Sequence, residues 1–330
     1  MGNICDTSSD KLVASTTHKS NNFRAENNLH DFNGPDHHVA RIVDQDARIE
    51  QCHILIDNTG YRSDMDEWRT YNCQNYGVFE YHHDKSLYFG QFNSRGQKHG
   101  LGLLFHPSDN KIYQGNFLND EMKGKGCFVY HNKDYYVGEV HNGPSGRGKL
   151  TCHDGDHYEG MWHNSQRNGE GKFTCHDGSY YHGMWKNSQK HGEGKELTSA
   201  NCTYVGEYHE DMRHGFGKHH WADGSKYDGH WKHDQMHGEG KYIVGDGRTY
   251  TGDWVEGMMH GHGTYTWPDG KSYVGSYLKD KKHGYGEFSW PDGKVYKGQF
   301  KDGQQEGEGQ VYKHGELSFS GAWMTGSRIK

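Results

Sequence analysis

One stretch of this 330-residue chain decides its fold: Tyr158-Glu-Gly160-Met-Trp162-His-Asn-Ser-Gln-Arg-Asn-Gly169-Glu-Gly171-Lys-Phe173-Thr-Cys-His-Asp177-Gly178. Tyr158, Gly160 and Trp162 stand at alternate positions, so in an extended strand their side chains share one face. The following segment repeats this alternation with two glycines and Phe173. Both segments are short and rich in glycine, which costs about 1 kcal/mol relative to alanine inside a helix. The stretch therefore predicts two strands.

This stretch is one copy of a repeat. Each copy opens with Tyr-x-Gly-x-aromatic and continues to a Gly-x-Gly pair, with Val140 replacing the aromatic residue in the third copy. The opening tyrosines are Tyr88, Tyr113, Tyr136, Tyr158, Tyr181, Tyr204, Tyr227, Tyr250, Tyr273 and Tyr296. From Tyr158 onward they are 23 residues apart, and Phe319 opens an eleventh, incomplete copy at the same interval. A fixed period of this length is typical of repeat arrays.

Turn residues connect the predicted strands into hairpins. Asp-Gly between two strand-like runs favours a tight turn, because both residues tolerate positive φ. Six copies carry such a pair: Asp154-Gly155, Asp177-Gly178, Asp223-Gly224, Asp246-Gly247, Asp269-Gly270 and Asp292-Gly293. The strand glycines leave room for large rings on neighbouring strands. We therefore expect an all-β protein, an elongated single-layer antiparallel β-meander of about ten 23-residue hairpins, each adding a rise of about 10 Å.

Composition excludes several functional classes. Apolar residues make up 31% of the chain and glycine supplies 48 positions, which is too little apolar material for a thick globular core. The net charge of −7 argues against nucleic-acid binding, which usually needs a basic stripe. No apolar run approaches the length of a transmembrane helix, and the N-terminus lacks the apolar core of a signal peptide. The seven cysteines show no CxxC spacing, which favours reduced thiols and a cytoplasmic location.

Tyr-x-Gly-x-Trp followed by His-Gly-x-Gly resembles the MORN repeat (membrane occupation and recognition nexus), over about residues 76–323. Members of that family organise membrane-linked cytoskeletal and ciliary assemblies, and many pair through terminal repeats. Catalysis in the family comes from attached domains. The resemblance therefore implies a non-catalytic scaffold without a cofactor. We expect it to mediate protein–protein interaction or self-association at a membrane or at a cytoskeletal or ciliary structure.

Two other functions stay open. The first is recognition of anionic phospholipid headgroups by loop lysines, namely Lys279, Lys281 and Lys282, or Lys186 and Lys190. The overall negative charge and the absence of a continuous basic stripe weaken this alternative. The second is a regulatory subunit of a lipid kinase or of a ciliary complex.

The residues outside the repeats divide into three segments. Residues 1–38 are polar and without periodicity, which predicts a disordered N-terminal segment. Residues 39–75 contain a short element, whose pattern fits a helix or an extra strand, and an N-terminal cap of the array. The array itself is expected at residues 76–323, and residues 324–330 form a C-terminal tail.

The first residues carry a separate signal for lipidation. Removal of Met1 would expose Gly2 for myristoylation, and Cys5 stands where a palmitoyl group could provide the second anchor. Stable membrane attachment needs two such signals. Asp6 stands where the usual pattern has Ser or Thr, so an ordinary unmodified terminus is the competing interpretation.

Two surfaces are candidates for partner binding. The aromatic face would form an open interaction strip, unless the same rings simply make the core; it comprises Tyr158, Trp162, Tyr181, Trp185, Tyr227, Trp231, Tyr250 and Trp254. The last strand, with Phe319, Gly321 and Trp323, has no following partner in its own chain and would offer an edge for self-association.

No metal or nucleotide site is expected. The recurrent loop histidines His99, His191, His214, His237, His260 and His283 would lie about 10 Å apart in adjacent repeats, too far to share a zinc ion. The same spacing excludes a disulfide between Cys152 and Cys175. Gly143 to Lys149 imitates a phosphate-binding loop, but Leu150 replaces the required Ser or Thr and a strand should follow.

Overall fold

The computed structural model describes residues 76–81 and 84–329, and these residues form strands and turns without any helix. Consequently the described part of the chain offers no helix that could span a bilayer. The predicted N-terminal segment 1–38, the short element and most of the cap within 39–75, and the lipidation candidates Gly2 and Cys5 lie outside the described residues.

The chain divides into two compact units. The first contains the chain up to Gly178 together with Trp185–Ser188, and the second contains Ser179–Met184 and the chain from Gln189 onward. The nine strands that lie wholly in the first unit are β1 (Tyr76–Glu80), β2 (Leu87–Phe92), β3 (Lys98–His106), β4 (Lys111–Leu118), β5 (Glu121–Val129), β6 (Tyr135–His141), β7 (Pro144–Thr151), β8 (His157–His163) and β9 (Gln166–Thr174). Strand β10 (Tyr180–Lys186) contributes residues to both units.

Thirteen further strands lie in the second unit. They are β11 (Gln189–Leu197), β12 (Thr203–His209), β13 (Met212–His220), β14 (Lys226–Lys232), β15 (Gln235–Ile243), β16 (Thr249–Val255), β17 (Met258–Thr266), β18 (Ser272–Leu278), β19 (Lys281–Ser289), β20 (Lys294–Lys301), β21 (Gln304–Lys313), β22 (Glu316–Met324) and β23 (Ser327–Arg328). All 23 strands belong to one antiparallel sheet, so the predicted all-β meander of hairpin repeats is confirmed. The imitation phosphate loop, Gly143 to Lys149, runs into strand β7 from Pro144 onward, so it leads into a strand as the repeat pattern predicts.

Glycines form rows across the sheet, and tyrosine rings cover them. Gly229 lies directly opposite Gly217 on one side and Gly240 on the other. A Cβ atom on Gly240 would come within 2.2 Å of the hydroxyl oxygen of Tyr227, so no larger residue fits beneath that ring. The Tyr227 hydroxyl donates to the carbonyl oxygen of His230 at 2.9 Å. The ten repeat tyrosines share this arrangement and are at most 2% exposed.

The turns correct one expectation. The six Asp-Gly pairs named above do not form two-residue turns, because only the glycine adopts positive φ, as at Gly247 with φ 93°. The Asp246 carboxylate instead accepts a hydrogen bond from the backbone N–H of Arg248, which closes a longer loop. In most repeats the two-residue turn lies at the other end of the hairpin, where both residues have positive φ, as at His233 (49°) and Asp234 (66°). This conformation matches the twist of the flanking strands.

The two-residue turns also connect successive repeats. The Asp234 carboxylate accepts a hydrogen bond from the backbone N–H of Arg213, 21 residues earlier, at 2.9 Å. Asp120 and Asp280 make the corresponding contacts to the N–H groups of Lys98 and Met259. These three turns therefore satisfy a backbone donor of the preceding hairpin, which a repeat could not do in isolation.

Candidate interaction surfaces

The aromatic face is closed by its own rings. Trp231 packs edge-on between Tyr204 and Tyr227, with centroid distances of 5.6 and 5.1 Å. Its indole N–H donates to the carbonyl oxygen of Gly217 at 3.2 Å. The same geometry recurs in the first unit, where Trp162 packs between Tyr136 and Tyr158. Edge-to-face contacts of this kind stabilise beyond the area that they bury.

This packing places the predicted interaction strip in the core. The eight side chains are between 1% and 8% exposed: Tyr158, Trp162, Tyr181, Trp185, Tyr227, Trp231, Tyr250 and Trp254. Burial raises the pKa of the equivalent Tyr296 to about 12, so its hydroxyl stays protonated and remains a donor. These rings therefore form the core, which was the alternative interpretation in the sequence analysis. A binding partner would have to contact other side chains.

The opposite face of the second unit presents such side chains. Val205 and Val274 follow their repeat tyrosines directly, and Phe216 and Tyr285 lie between the two glycines of Gly-x-Gly. Strand alternation turns these four away from the core, and they are 42–59% exposed. Lys218, directly opposite Val205, forms an exposed ion pair with Asp228 at 2.8 Å. We call Val205, Phe216, Val274 and Tyr285 the open face.

The open face repeats itself. Val274 follows Val205, and Tyr285 follows Phe216, by 69 residues, which is three periods of 23. The intervening repeats carry polar or charged residues at both positions, such as Glu239. Sequence reasoning missed this surface because it concentrated on the aromatic side. The signal was nevertheless present, since an apolar residue at an outward position of a half-buried strand is exposed.

The C-terminal edge is partly closed by the chain itself, which corrects the expectation that the last repeat strand has no following partner. Strand β23 pairs with the end of β22, where Trp323 lies opposite Arg328. The Arg328 guanidinium lies 3.8 Å from the centroid of the Phe319 ring. Trp323 is buried, and Gly321 pairs with Gly309 of β21. Only the earlier part of β22 lacks a strand partner on its outer side among the described residues.

The lysines considered for lipid binding are unequally available. Lys282 is half-buried with its ammonium group 4.7 Å from the Phe288 ring centroid, and burial lowers its pKa. Lys190 pairs with the buried Glu196 carboxylate. Lys281 lies 3.5 Å from Asp302. The remaining two, Lys279 and Lys186, are exposed.

The histidines and cysteines form no metal centre among the residues that the structure describes, where no group of three or more His, Cys, Asp or Glu could hold an ion. Cys152 and Cys202 are thiols, so Cys152 and Cys175 are not joined to each other. Cys175 is disulfide-bonded, which corrects the expectation that every cysteine is reduced.

Comparison with known protein families matches ten consecutive segments of the chain to the MORN repeat: residues 88–111, 113–135, 136–157, 158–180, 181–202, 204–226, 227–247, 250–272, 273–295 and 296–312. The chain is also 32% identical over 50 residues to the inactive protein tyrosine kinase pTKL of Plasmodium falciparum. That similarity covers 15% of this chain, which spans only 3% of the length of that relative.

Two solved structures show weak overall similarity. The TCP domain of SAS-4 (dCPAP) of Drosophila melanogaster, in complex with a proline-rich motif of Ana2 (dSTIL), has a TM-score of 0.29 and 12% identity, covering 54% of this chain and 90% of that chain. The TCP10 domain of Danio rerio CPAP, in complex with a STIL peptide, has a TM-score of 0.23 and 13% identity, covering 72% of this chain and 99% of that chain.

Proposed function

The chain belongs to the MORN-repeat family, and from this premise we propose that it is a non-catalytic scaffold that binds partner proteins or further copies of itself. The open face is the observation that carries this proposal. Four large apolar or aromatic side chains that are 42–59% exposed stand there. Ion pairs flank them, Lys218–Asp228 beside Val205 and Lys297–Glu287 beside Val274, and aromatic residues surrounded by charged groups are typical anchors of protein interfaces. The aromatic core behind them supplies a rigid support.

We place the action of the scaffold at a membrane or at a cytoskeletal or ciliary structure on the cytoplasmic side; the family resemblance supports this location, whereas the disulfide of Cys175 removes the argument from reduced thiols. Acyl groups on Gly2 and Cys5 would provide membrane attachment, because two anchors suffice where one does not. Flotation of the full chain with anionic vesicles tests this against direct lipid binding. Loss of membrane association in cells for a Gly2→Ala, Cys5→Ser variant, with no binding of the unmodified chain to vesicles, supports attachment through acyl groups. Vesicle binding by the unmodified chain supports the lysine alternative.

A matched pair of variants tests partner binding by the open face. The test variant is Phe216→Ser with Tyr285→Ser, and the control is Glu239→Ser with His262→Ser, which occupy the same position in the two intervening repeats. Proximity labelling in the native cell should show specific partners lost from the test variant and kept by the control. Light scattering on the purified chains reports self-association in the same way. If both variants label the same partners and have the same molar mass by light scattering, the proposal is contradicted. Recovery of a lipid kinase among the labelled proteins would indicate that the chain is a regulatory subunit.

A further inference from the structure

The first repeats bury both faces of their strands. Leu103, Ile112, Cys127 and Val129 form an apolar cluster and are between 0% and 4% exposed. They alternate along their strands with core residues such as Tyr113, so they lie on the face opposite the aromatic core. We call these four residues the second cluster.

Neighbouring strands cannot bury these residues on their own. Gln114 lies across the strands from Leu103 and Cys127, and it directly follows its repeat tyrosine. Val205 and Val274 occupy the same repeat position and are flanked by strands in the same way. Gln114 is 4% exposed, whereas these two smaller valines are 49% and 42% exposed. An additional layer therefore covers the second cluster, and the described strands, which form one sheet, do not supply it.

We propose that residues 39–57 of the same chain cover the second cluster. This segment contains seven aliphatic residues within 18 positions: Val39, Ile42, Val43, Ile49, Ile54, Leu55 and Ile56. Residues 1–38 contain only four, namely Ile4, Leu12, Val13 and Leu29. Burying such a segment on an apolar face stabilises both, by about 25 cal/mol for each Å² removed from water. No other part of the chain outside the described strands has this density of aliphatic side chains.

The linker between residues 39–57 and strand β1 is long enough for this segment to reach the second cluster. Residues 58–75 link the segment to β1, which pairs with β2 at the start of the sheet. Eighteen extended residues reach about 60 Å, whereas β1 and β5 are separated by four strand intervals, or about 19 Å. The cover closes the second face of the first repeats to outside partners. The corresponding face of the second unit stays accessible.

Thiol labelling of the full chain tests the cover, because Cys127 lies in the second cluster and is fully buried. Cys152 and Cys202 are partly exposed thiols and serve as internal references. With N-ethylmaleimide and peptide-resolved mass spectrometry, Cys127 should react at least tenfold more slowly than Cys202. An Ile49→Asp, Ile54→Asp variant should remove this difference while the rates of the two references stay unchanged. The matched control, Gln45→Asp with Gln51→Asp, adds the same charge at polar positions of the segment and should keep Cys127 protected.

Three labelling results would overturn the proposal. They are rapid labelling of Cys127 in the wild-type chain, continued protection in the Ile49→Asp, Ile54→Asp variant, and equal deprotection by the polar control. Hydrogen exchange of the wild-type chain provides a second measurement that does not depend on how the variants fold. Amides of residues 39–57 should exchange more slowly than those of residues 1–38, and equal exchange in the two segments contradicts the cover.

Discussion

Strands β3–β5 and strands β12–β14 follow the same repeat pattern but use their two faces differently. Both regions place tyrosines over glycine rows on one face. On the other face, β3–β5 bury Leu103 and Cys127, whereas β12–β14 expose Val205 and Phe216. The repeat pattern therefore specifies only the aromatic face. The variable positions of the second face decide whether a region is covered or remains available to partners.

The largest expected effect is the loss of a core tryptophan, and it should be the same in both units. Trp162→Ala and Trp254→Ala each remove a ring that packs edge-on against repeat tyrosines and donates to a glycine carbonyl oxygen. We expect each to lower the free energy of unfolding by about 4 kcal/mol, measured by urea denaturation. A large difference between the two variants would show that the aromatic face is not equivalent along the chain.

Substitutions on the face opposite the aromatic core should affect stability differently in the two regions. Leu103→Ala removes a fully buried side chain and should cost about 3 kcal/mol, because a cavity remains beneath the cover. Val274→Ala changes a half-exposed side chain and should alter stability by less than about 0.5 kcal/mol. Denaturation midpoints of the two variants provide the measurement. Equal costs at both positions would remove the distinction between a covered and an open region.

Acid should weaken the second unit through His219. Burial, followed by the positive charges of Arg213 and His220, lowers the pKa of His219 from 6.5 to about 4. Between these two pH values the unfolded chain binds a proton that the folded chain does not, so stability falls as pH decreases from about 6.5 to about 4. We expect a loss of about 2 kcal/mol, allowing for partial solvent screening.

The matched variant for this pH dependence is His219→Phe, since phenylalanine occupies the same repeat position at Phe173 and Phe288. Its urea midpoint should depend less on pH than that of the wild-type chain. The pH slopes of the two proteins should differ only below about pH 6.5. If the stability of both proteins depended on pH in the same way, titratable groups other than His219 would be responsible for the acid sensitivity.

A smaller loss of stability is expected from changes in the turns, and again both units should agree. Asp120→Ala and Asp280→Ala remove a carboxylate that accepts a backbone N–H of the preceding hairpin, and they place alanine at positive φ. Each should cost about 1 kcal/mol. Hydrogen exchange at the amides of Lys98 and Met259 should become faster in the respective variant. Unchanged exchange would mean that these turns do not connect the repeats energetically.

Most of the fold could be predicted because the spacing of Tyr158, Gly160 and Trp162 has the period of a strand and recurs at a fixed interval. The positions of the two-residue turns could not be predicted in this way. Asp-Gly has the stronger residue preference for a tight turn, yet the two-residue turns formed at pairs such as His233 and Asp234. There the twist of the flanking strands favours positive φ at both residues, although neither is glycine.

The candidate surfaces were less predictable than the fold. Periodicity shows which residues share a face, but it does not show whether rings such as Trp231 meet closely enough to exclude water. That depends on the edge-on contacts with Tyr204 and Tyr227, which join neighbouring repeats. The open face could have been found from alternation alone, because Phe216 and Tyr285 occupy an outward position.

The sequence by itself determined the strand period, the aromatic face, the glycine rows and the family, since each depends on residue types at short, regular intervals. Only the tertiary structure decided three further features: the closure of the aromatic face, the pairing of Trp323 with Arg328, and the burial of Leu103 and Cys127 on the second face. Each of these depends on atoms from a neighbouring strand, a neighbouring repeat or a covering layer. A residue's own position in the repeat carries no information about what packs against it from outside that repeat.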